Sequence, residues 1–264
     1  MRVAAVQMIS GPEVEPNLAT AARLIAEAAA TGARMVALPE YFPLIGATDE
    51  ARLAAREAPG AGPIQAFLAA QARQHGIWLV GGSIPLTARS PGKLLNACLV
   101  FDDHGRQVAR YDKIHLFGFT KNEEHYDEAA TIEAGEKVVA VDTPVGRVGL
   151  AICYDLRFPE LFRAMGVLDL IVLPAAFTDT TGRAHWETLL RARAIENQCY
   201  LLASAQGGQH PTGRMTHGNS MIIDPWGDIV ARMDKGEGVI SAELDPARIA
   251  EVRTSLPALK HRKL

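Results

Sequence analysis

The stretch "RVGLAICYDLRFPELF", Arg147 to Phe162, reads as an apolar strand up to Cys153, turns polar within two residues and starts a helix at Pro159. Proline is favoured at the first helical position, and Glu160 puts a negative charge in the first turn, where the helix dipole favours it. A thiol therefore stands at a strand-to-helix corner. The connection "YDLRF" resembles a nucleophile elbow in role, although it lacks the GxSxG pattern. In layered α/β folds the carboxyl ends of strands are where ligand sites form, so this corner exposes the thiol to a substrate.

Outward from that corner, strand and helix periods alternate with no low-complexity linker and no solenoid-length repeat. From Glu15 to Ala30 the positions Leu18, Ala21, Ala22, Ile25, Ala28 and Ala29 fall at three- and four-residue steps, an amphipathic helix that Gly32 ends. "MRVAAVQMIS" and "ARMVALPE" read as strands, Pro63 to Gln74 as a helix, and "IWLVGGSIP" as one further strand. Turn residues at Asp103–Gly105, at Gly146 and in "DPWG" join strand pairs as hairpins. The later helices start at Pro159 and in "AHWETLLRARAIEN", between the strands "LDLIVLP" and "CYLLASA". Hairpins among βα alternation exclude a purely parallel sheet and point to mixed sheets layered with helices.

Composition narrows the function. With 264 residues, 48% hydrophobic and 22% charged, the chain can bury a large core. A net charge of -3 gives no electrostatic footprint for nucleic acid or an acidic membrane. No apolar run reaches the ~18 residues of a membrane span. "MRVAAVQMIS" lacks the continuous apolar stretch of a secretory leader. The three cysteines, Cys98, Cys153 and Cys199, cannot all pair, and none stands in a CxxC spacing, which fits a reducing cytoplasm. The expected partner is a small molecule.

Three chemically capable side chains share one kind of place. Glu40 ends "MVALPE", Lys113 ends "QVARYDK" and Cys153 ends "VGLAIC". Taken singly, a strand-end glutamate is usually a loop carboxylate, a lysine a solvated cation and a cysteine a small core residue, and Cys98 and Cys199 receive that last reading. The eight histidines show no HExxH spacing and no adjoining cysteine pair, so no metal site is expected from them.

Taken together and in order, "ALPEYF", "YDKIHLF" and "GLAICYDLRFPEL" resemble the three signature segments of the nitrilase superfamily of carbon-nitrogen hydrolases. The resemblance runs from "VAAVQM" to "RTSLPALKHRK". It implies an α/β fold, a four-layer αββα sandwich in a single domain over residues 1–264, paired into a homodimer or higher even oligomer and needing no cofactor. It also implies a triad in which Glu40 is the base, Lys113 the cationic stabiliser and Cys153 the nucleophile. Glu128, in "DEAATIEAG", matches a second glutamate of the family, with Ala129 in place of the usual small polar residue. The backbone N–H of Tyr154 is the expected second oxyanion donor. The segment Gly118 to Tyr126 departs from the family pattern where substrate-gating loops sit.

Within the superfamily, "HWETLLRARAIENQCYLLASAQGGQH" is similar to amidases of deaminated glutathione and to ω-amidases, which implies a small carboxylated amide cleaved to acid and ammonia through a thioester. Arg157 is then the carboxylate anchor, or else the partner of Asp155 or Glu160 in a structural ion pair. Phe177 and Thr181 line the same pocket by analogy. Two other readings stand beside this one: a nitrilase with the same triad, and a scaffold that keeps the fold without the chemistry.

Overall fold

The computed structural model describes residues 1–46, 48–121 and 124–263. The N-terminal half forms β1 (Arg2–Gln7), β2 (Met35–Ala37), β3 (Trp78–Val80), β4 (Ile84–Thr87), β5 (Leu94–Phe101) and β6 (Gln107–Asp112), followed by the hairpin β7 (Gly118–Lys121) and β8 (Glu124–Asp127). The C-terminal half forms β9 (Ala140–Thr143), β10 (Gly146–Leu150), β11 (Leu170–Ala175), β12 (Tyr200–Ala205), β13 (Met221–Ile223), β14 (Ile229–Arg232) and β15 (Gly238–Glu243). One sheet runs β15-β1-β2-β3-β5-β4 with β6 on the other edge of β5, and the second runs β14-β13-β12-β11-β10-β9. Each has a parallel centre, β1-β2-β3 and β10-β11-β12, flanked by antiparallel strands.

The alternation along β1 shows why the sheets stack. Val3 and Ala5 enter a core shared with Val148, Leu150 and Val172 of the second sheet. Ala4 and Val6 face the other way, against Leu24 and Ile25 of α1 (Val14–Ala30). A period of two in a strand buried on both faces serves two layers at once. The short α2 (Asp49–Ala54) was not legible in the apolar pattern; α3 (Pro63–His75) covers the first sheet beside α1. On the far side α4 (Pro159–Ala164) and α5 (Asp179–Asn197) cover the second sheet through Phe162, Trp186 and Leu190, which completes the αββα order. No described helix is long and apolar enough to cross a membrane.

The sheets are registered so that their carboxyl ends coincide. Just beyond β1 and β12, Met8 and Gln206 form a parallel bridge, and Ser204 Oγ donates to Val6 O. The two parallel centres thus run in the same direction. Residues that follow β2, β6 and β10 converge at one edge of the sandwich.

The sequence pattern needs one correction. "IWLVGGSIP" is not a single strand: it breaks at Gly81–Gly82 into β3 and β4. Gly82 has φ +56°, and a Cβ there would lie 2.2 Å from Pro39 O. The break lets the chain turn tightly beneath Pro39, and Ser83 Oγ then accepts the Tyr41 N–H at 3.0 Å. A strand interruption in one segment supports Glu40 in another.

Gly82→Ala should therefore cost about 2–5 kcal/mol, left-handed strain plus a backbone clash. Gly32→Ala, at φ +84° with nothing within 4 Å, should cost only about 1–2 kcal/mol. Chemical denaturation of the two variants measures the difference; equal losses would show that the Pro39 contact does not constrain this turn.

Candidate active site

Three segments leave their strands and meet. Glu40 lies in the turn beyond β2, Lys113 one residue past β6, and Cys153 opens a 3₁₀ turn, Cys153–Arg157, three residues past β10. Lys113 Nζ donates to Glu40 Oε1 at 2.9 Å and to Glu128 Oε1 and Oε2 at 3.0 and 2.8 Å. The lysine side chain is fully buried, and those of Glu40 and Glu128 are 1% and 12% exposed. Glu40 also accepts Asn96 Nδ2 at 3.0 Å and the Ala176 N–H at 2.9 Å. Glu128 accepts the Tyr41 hydroxyl at 2.7 Å and the Phe117 N–H at 2.8 Å. The Cys153 thiol lies beside this group, lining the same cleft as Glu40 and Glu128.

A second buried carboxylate fixes the corner itself. Asp155 Oδ2 accepts the Ile152 N–H at 2.8 Å and the Tyr111 hydroxyl at 2.7 Å, while Oδ1 accepts the His115 N–H at 3.1 Å and lies 2.8 Å from His115 Nδ1. Tyr111 and His115 flank Lys113, so one side chain ties the cysteine turn to the lysine segment. Cys153 and Tyr41 both hold positive φ, +50° and +56°, a conformation that costs a non-glycine residue about 1–3 kcal/mol and needs such surrounding bonds.

The ionisation states follow from these contacts. Burial opposes the charge on Glu128, but the Lys113 ammonium and the bonds from Lys113, Phe117 and Tyr41 outweigh it and lower its pKa. Burial likewise opposes the charge on Lys113, and Glu128 and Glu40 override it, raising its pKa well above the ordinary value. The Cys153 thiol is raised by burial and then by Glu40, with Lys113 offsetting part of the effect. The resting group is an ammonium between two carboxylates, beside a protonated thiol.

A narrow cleft with about 10 Å³ of free volume opens above Cys153, walled by Phe117, Tyr154, Phe177, Thr181, Arg157 and Arg214 among others. Residues 2–254 match the carbon-nitrogen hydrolase family. The chain is a member of that family. It is 40% identical over 266 residues to the deaminated glutathione amidase of Yersinia enterocolitica, covering 99% of this chain and 92% of the relative. It is 38% identical over 265 residues to omega-amidase NIT2-A of Xenopus laevis, covering 99% and 95%. Among solved structures, Nit3 of Saccharomyces cerevisiae, a member of branch 10 of the nitrilase superfamily, matches with a TM-score of 0.88 at 32% identity, over 100% of this chain and 97% of that one.

In this carbon-nitrogen hydrolase the structure gathers Glu40, Lys113 and Glu128 into one hydrogen-bonded group with Cys153 beside it, and Arg157, Phe177 and Thr181 on the cleft wall. The first bond of the 3₁₀ turn is Asp155 N–H to Ile152 O, so the Tyr154 N–H lies ahead of it, uncommitted to the turn's own ladder. Arg157 makes no ion pair with Asp155 or Glu160: the first is held by Tyr111 and His115, and among the described residues Arg157 has no carboxylate partner. Its guanidinium instead lies 5.7 and 5.5 Å from the Tyr154 and Phe177 ring centres and 3.2 Å from His185 Nδ1. Cys98 and Cys199 are buried core residues, their thiols pushed up to about 12 by burial. The segment Gly118 to Tyr126 is the β7–β8 hairpin, with Asn122 and Glu123 outside the described residues.

Four functional partners escaped the sequence pattern: Asn96 and the Ala176 N–H on Glu40, Tyr41 on Glu128, and Arg214 in the cleft. Asn96 interrupts the apolar run "LLNACLVF", which is a usable signal; a backbone amide carries none.

Glu128→Gln should destabilise the protein by about 1–3 kcal/mol at neutral pH, because one buried charge partner of Lys113 is lost. A carboxylate with a lowered folded pKa contributes its stability above the unfolded value, near 4.5 for glutamate, and loses it as pH falls through the folded value. The gap between wild type and variant should therefore close in acid. A gap constant from pH 7 to pH 3 in denaturant titrations would contradict the charged pairing.

Proposed function

We propose that the chain is a cysteine-dependent amidase, acting as one domain, that hydrolyses a small carboxylated amide with Cys153 as nucleophile and Glu40 as the proton-transfer group. The observation that carries this reading is the Cys153 thiol on the wall of the same narrow cleft as a Glu40 carboxylate that is itself charge-paired with buried Lys113. A raised thiol needs its proton removed as it attacks, and a fixed carboxylate lining the same cleft supplies that base.

Sγ adds to the amide carbonyl carbon while its proton passes to Glu40. The C–N bond breaks as Glu40 returns that proton to nitrogen; a primary amide releases ammonia and an N-substituted amide an amine. Water then adds to the thioester and gives a proton to Glu40, and the C–S bond breaks as the proton returns to Sγ. The tetrahedral oxyanion is received by the Tyr154 N–H and Lys113. The three recorded bonds of Lys113 use its three protons, so the oxyanion replaces one of the two bonds to Glu128. Glu128 thereby sets where Lys113 stands and what it can release.

The substrate class rests on Arg157. A guanidinium in the cleft without a carboxylate partner is matched by a substrate carboxylate, held bidentately. The relatives named for amides of deaminated glutathione and for ω-amides support an oxo-acid amide of this kind. The three unpaired cysteines support a reducing compartment such as the cytoplasm. Exposed Trp226, Ile195 and Leu256 support pairing with a second copy.

Steady-state assays of ammonia and amine release over 2-oxo dicarboxylate monoamides, deaminated glutathione, simple aliphatic amides and nitriles test the reading. Wild type should favour the carboxylated amides. Glu40→Gln should lower kcat by at least ~10²- to 10⁴-fold. Arg157→Ala should lower kcat/KM by roughly 30- to several-thousand-fold on carboxylated amides, about 2–5 kcal/mol, and far less on an uncharged amide of equal length. Turnover of nitriles alone, or equal losses on both amides, would overturn the proposal.

A further inference from the structure

Asn96 is the buried polar side chain of the site to which the proposed chemistry gives no part. It interrupts the apolar strand β5 and is 1% exposed. Its Nδ2 donates to Glu40 Oε1 at 3.0 Å, and its backbone O accepts the Lys113 N–H at 3.0 Å. One residue thus touches both the base and the segment that carries the ammonium. Its Oδ1 is buried and has no donor among the described residues. Turning the amide over would set Oδ1 against the Glu40 carboxylate, so the carboxylate decides which way it faces. A buried acceptor without a donor opposes folding, so β5 carries here a side chain that its own stability does not call for.

The donors on Glu40 are shared unevenly. Oε1 accepts Lys113 Nζ at 2.9 Å and Asn96 Nδ2 at 3.0 Å, whereas Oε2 accepts the Ala176 N–H at 2.9 Å. Each oxygen of a carboxylate offers about two lone-pair sites. Oε1 is therefore full, and Oε2 keeps one site open. The donors also differ in place: Ala176 stands on the cleft wall with Glu40 and Cys153, and Asn96 and Lys113 do not. The open site belongs to the oxygen held by a cleft-wall residue.

We propose that Asn96 is a positioning residue that occupies Oε1, so that Glu40 exchanges protons with Cys153 and with the departing nitrogen through Oε2. The step at nitrogen rests on the amidase reading above; the step at Cys153 stands without it. Lys113 divides its protons between Glu40 and Glu128 and turns toward the oxyanion during the cycle. The Asn96 donor stays on Oε1 throughout, which keeps the carboxylate from rotating and offering the oxygen that faces away from the reaction.

The test reads the base without requiring an amide to be hydrolysed. Iodoacetamide alkylates Cys153: Sγ bonds to the methylene carbon, iodide leaves with the electron pair of the C–I bond, and the thiol proton passes to Glu40 Oε2. The rate, followed as mass gain on the peptide containing Cys153, is compared between wild type and Asn96→Leu, and again between Glu40→Gln and the double variant Glu40→Gln with Asn96→Leu. Asn96→Leu should slow alkylation about 10- to 100-fold in the first pair, the effect of losing a hydrogen bond to a charged group. In the second pair it should change the rate less than about twofold, because no base remains to be positioned. On the amide that wild type hydrolyses fastest, Asn96→Leu should lower kcat by a similar factor and leave KM in place.

Alkylation of Asn96→Leu at the wild-type rate, equal slowing in both pairs, or a loss confined to KM would overturn the assignment. If alkylation behaves as expected and wild type hydrolyses no amide, the amidase reading falls and the hold of Asn96 on Glu40 stands. Thermal melts accompany each variant, and Asn96→Ala takes the place of Asn96→Leu if the latter does not fold.

Discussion

A fully buried lysine ammonium between two carboxylates is the constraint on which the rest of the site depends. Desolvating three charges is costly, and it is tolerated only when geometry and additional hydrogen bonds are close to complete. Here Lys113 has three carboxylate contacts, and Asn96, Ala176, Tyr41 and Phe117 complete the acceptors. Those partners come from both halves of the chain, so the two sheets must stack in one register for any of them to be satisfied. The parallel alignment of β1 and β12 supplies that register, and the break at Gly82 lets the Glu40 turn descend onto it.

The same arrangement sets the surroundings of Cys153. Beside the charged cluster, in a nearly closed cleft, the Cys153 thiol is held protonated by burial and by Glu40. It differs from Cys98 and Cys199 in sharing a cleft with two glutamates. Asp155 adds the mechanical part, holding the strained turn at Cys153 to the segment that carries Lys113. Around this centre the cleft carries Arg157 and Arg214, neither of which has a carboxylate partner among the described residues.

Much of this was legible in the residues because the decisive side chains follow strand ends, and strands announce themselves by runs such as "GLAIC" and "MVALPE". Signature segments then placed Glu128, which periodicity alone would leave as a loop glutamate. What escaped was set by long-range packing. "WLVGGSIP" is continuous in hydrophobicity, and only the approach of Pro39 shows why its glycines break it. Asp155 stands two residues before Arg157 and looks like its ion-pair partner, yet the fold gives it to Tyr111 and His115. Arg214 lies in a segment rich in glycine and turn residues, with no period to say which way it faces.

The central claim is that acyl transfer passes through Cys153, and the most direct measurement is intact-mass and peptide mapping of the enzyme quenched during turnover of a slow carboxylated amide. The account predicts one acyl group, of the substrate's acid mass less water, on the peptide containing Cys153. An acyl group on Cys98, Cys199 or a lysine instead, or turnover with no covalent species at Cys153 under conditions where the thioester should accumulate, would contradict it.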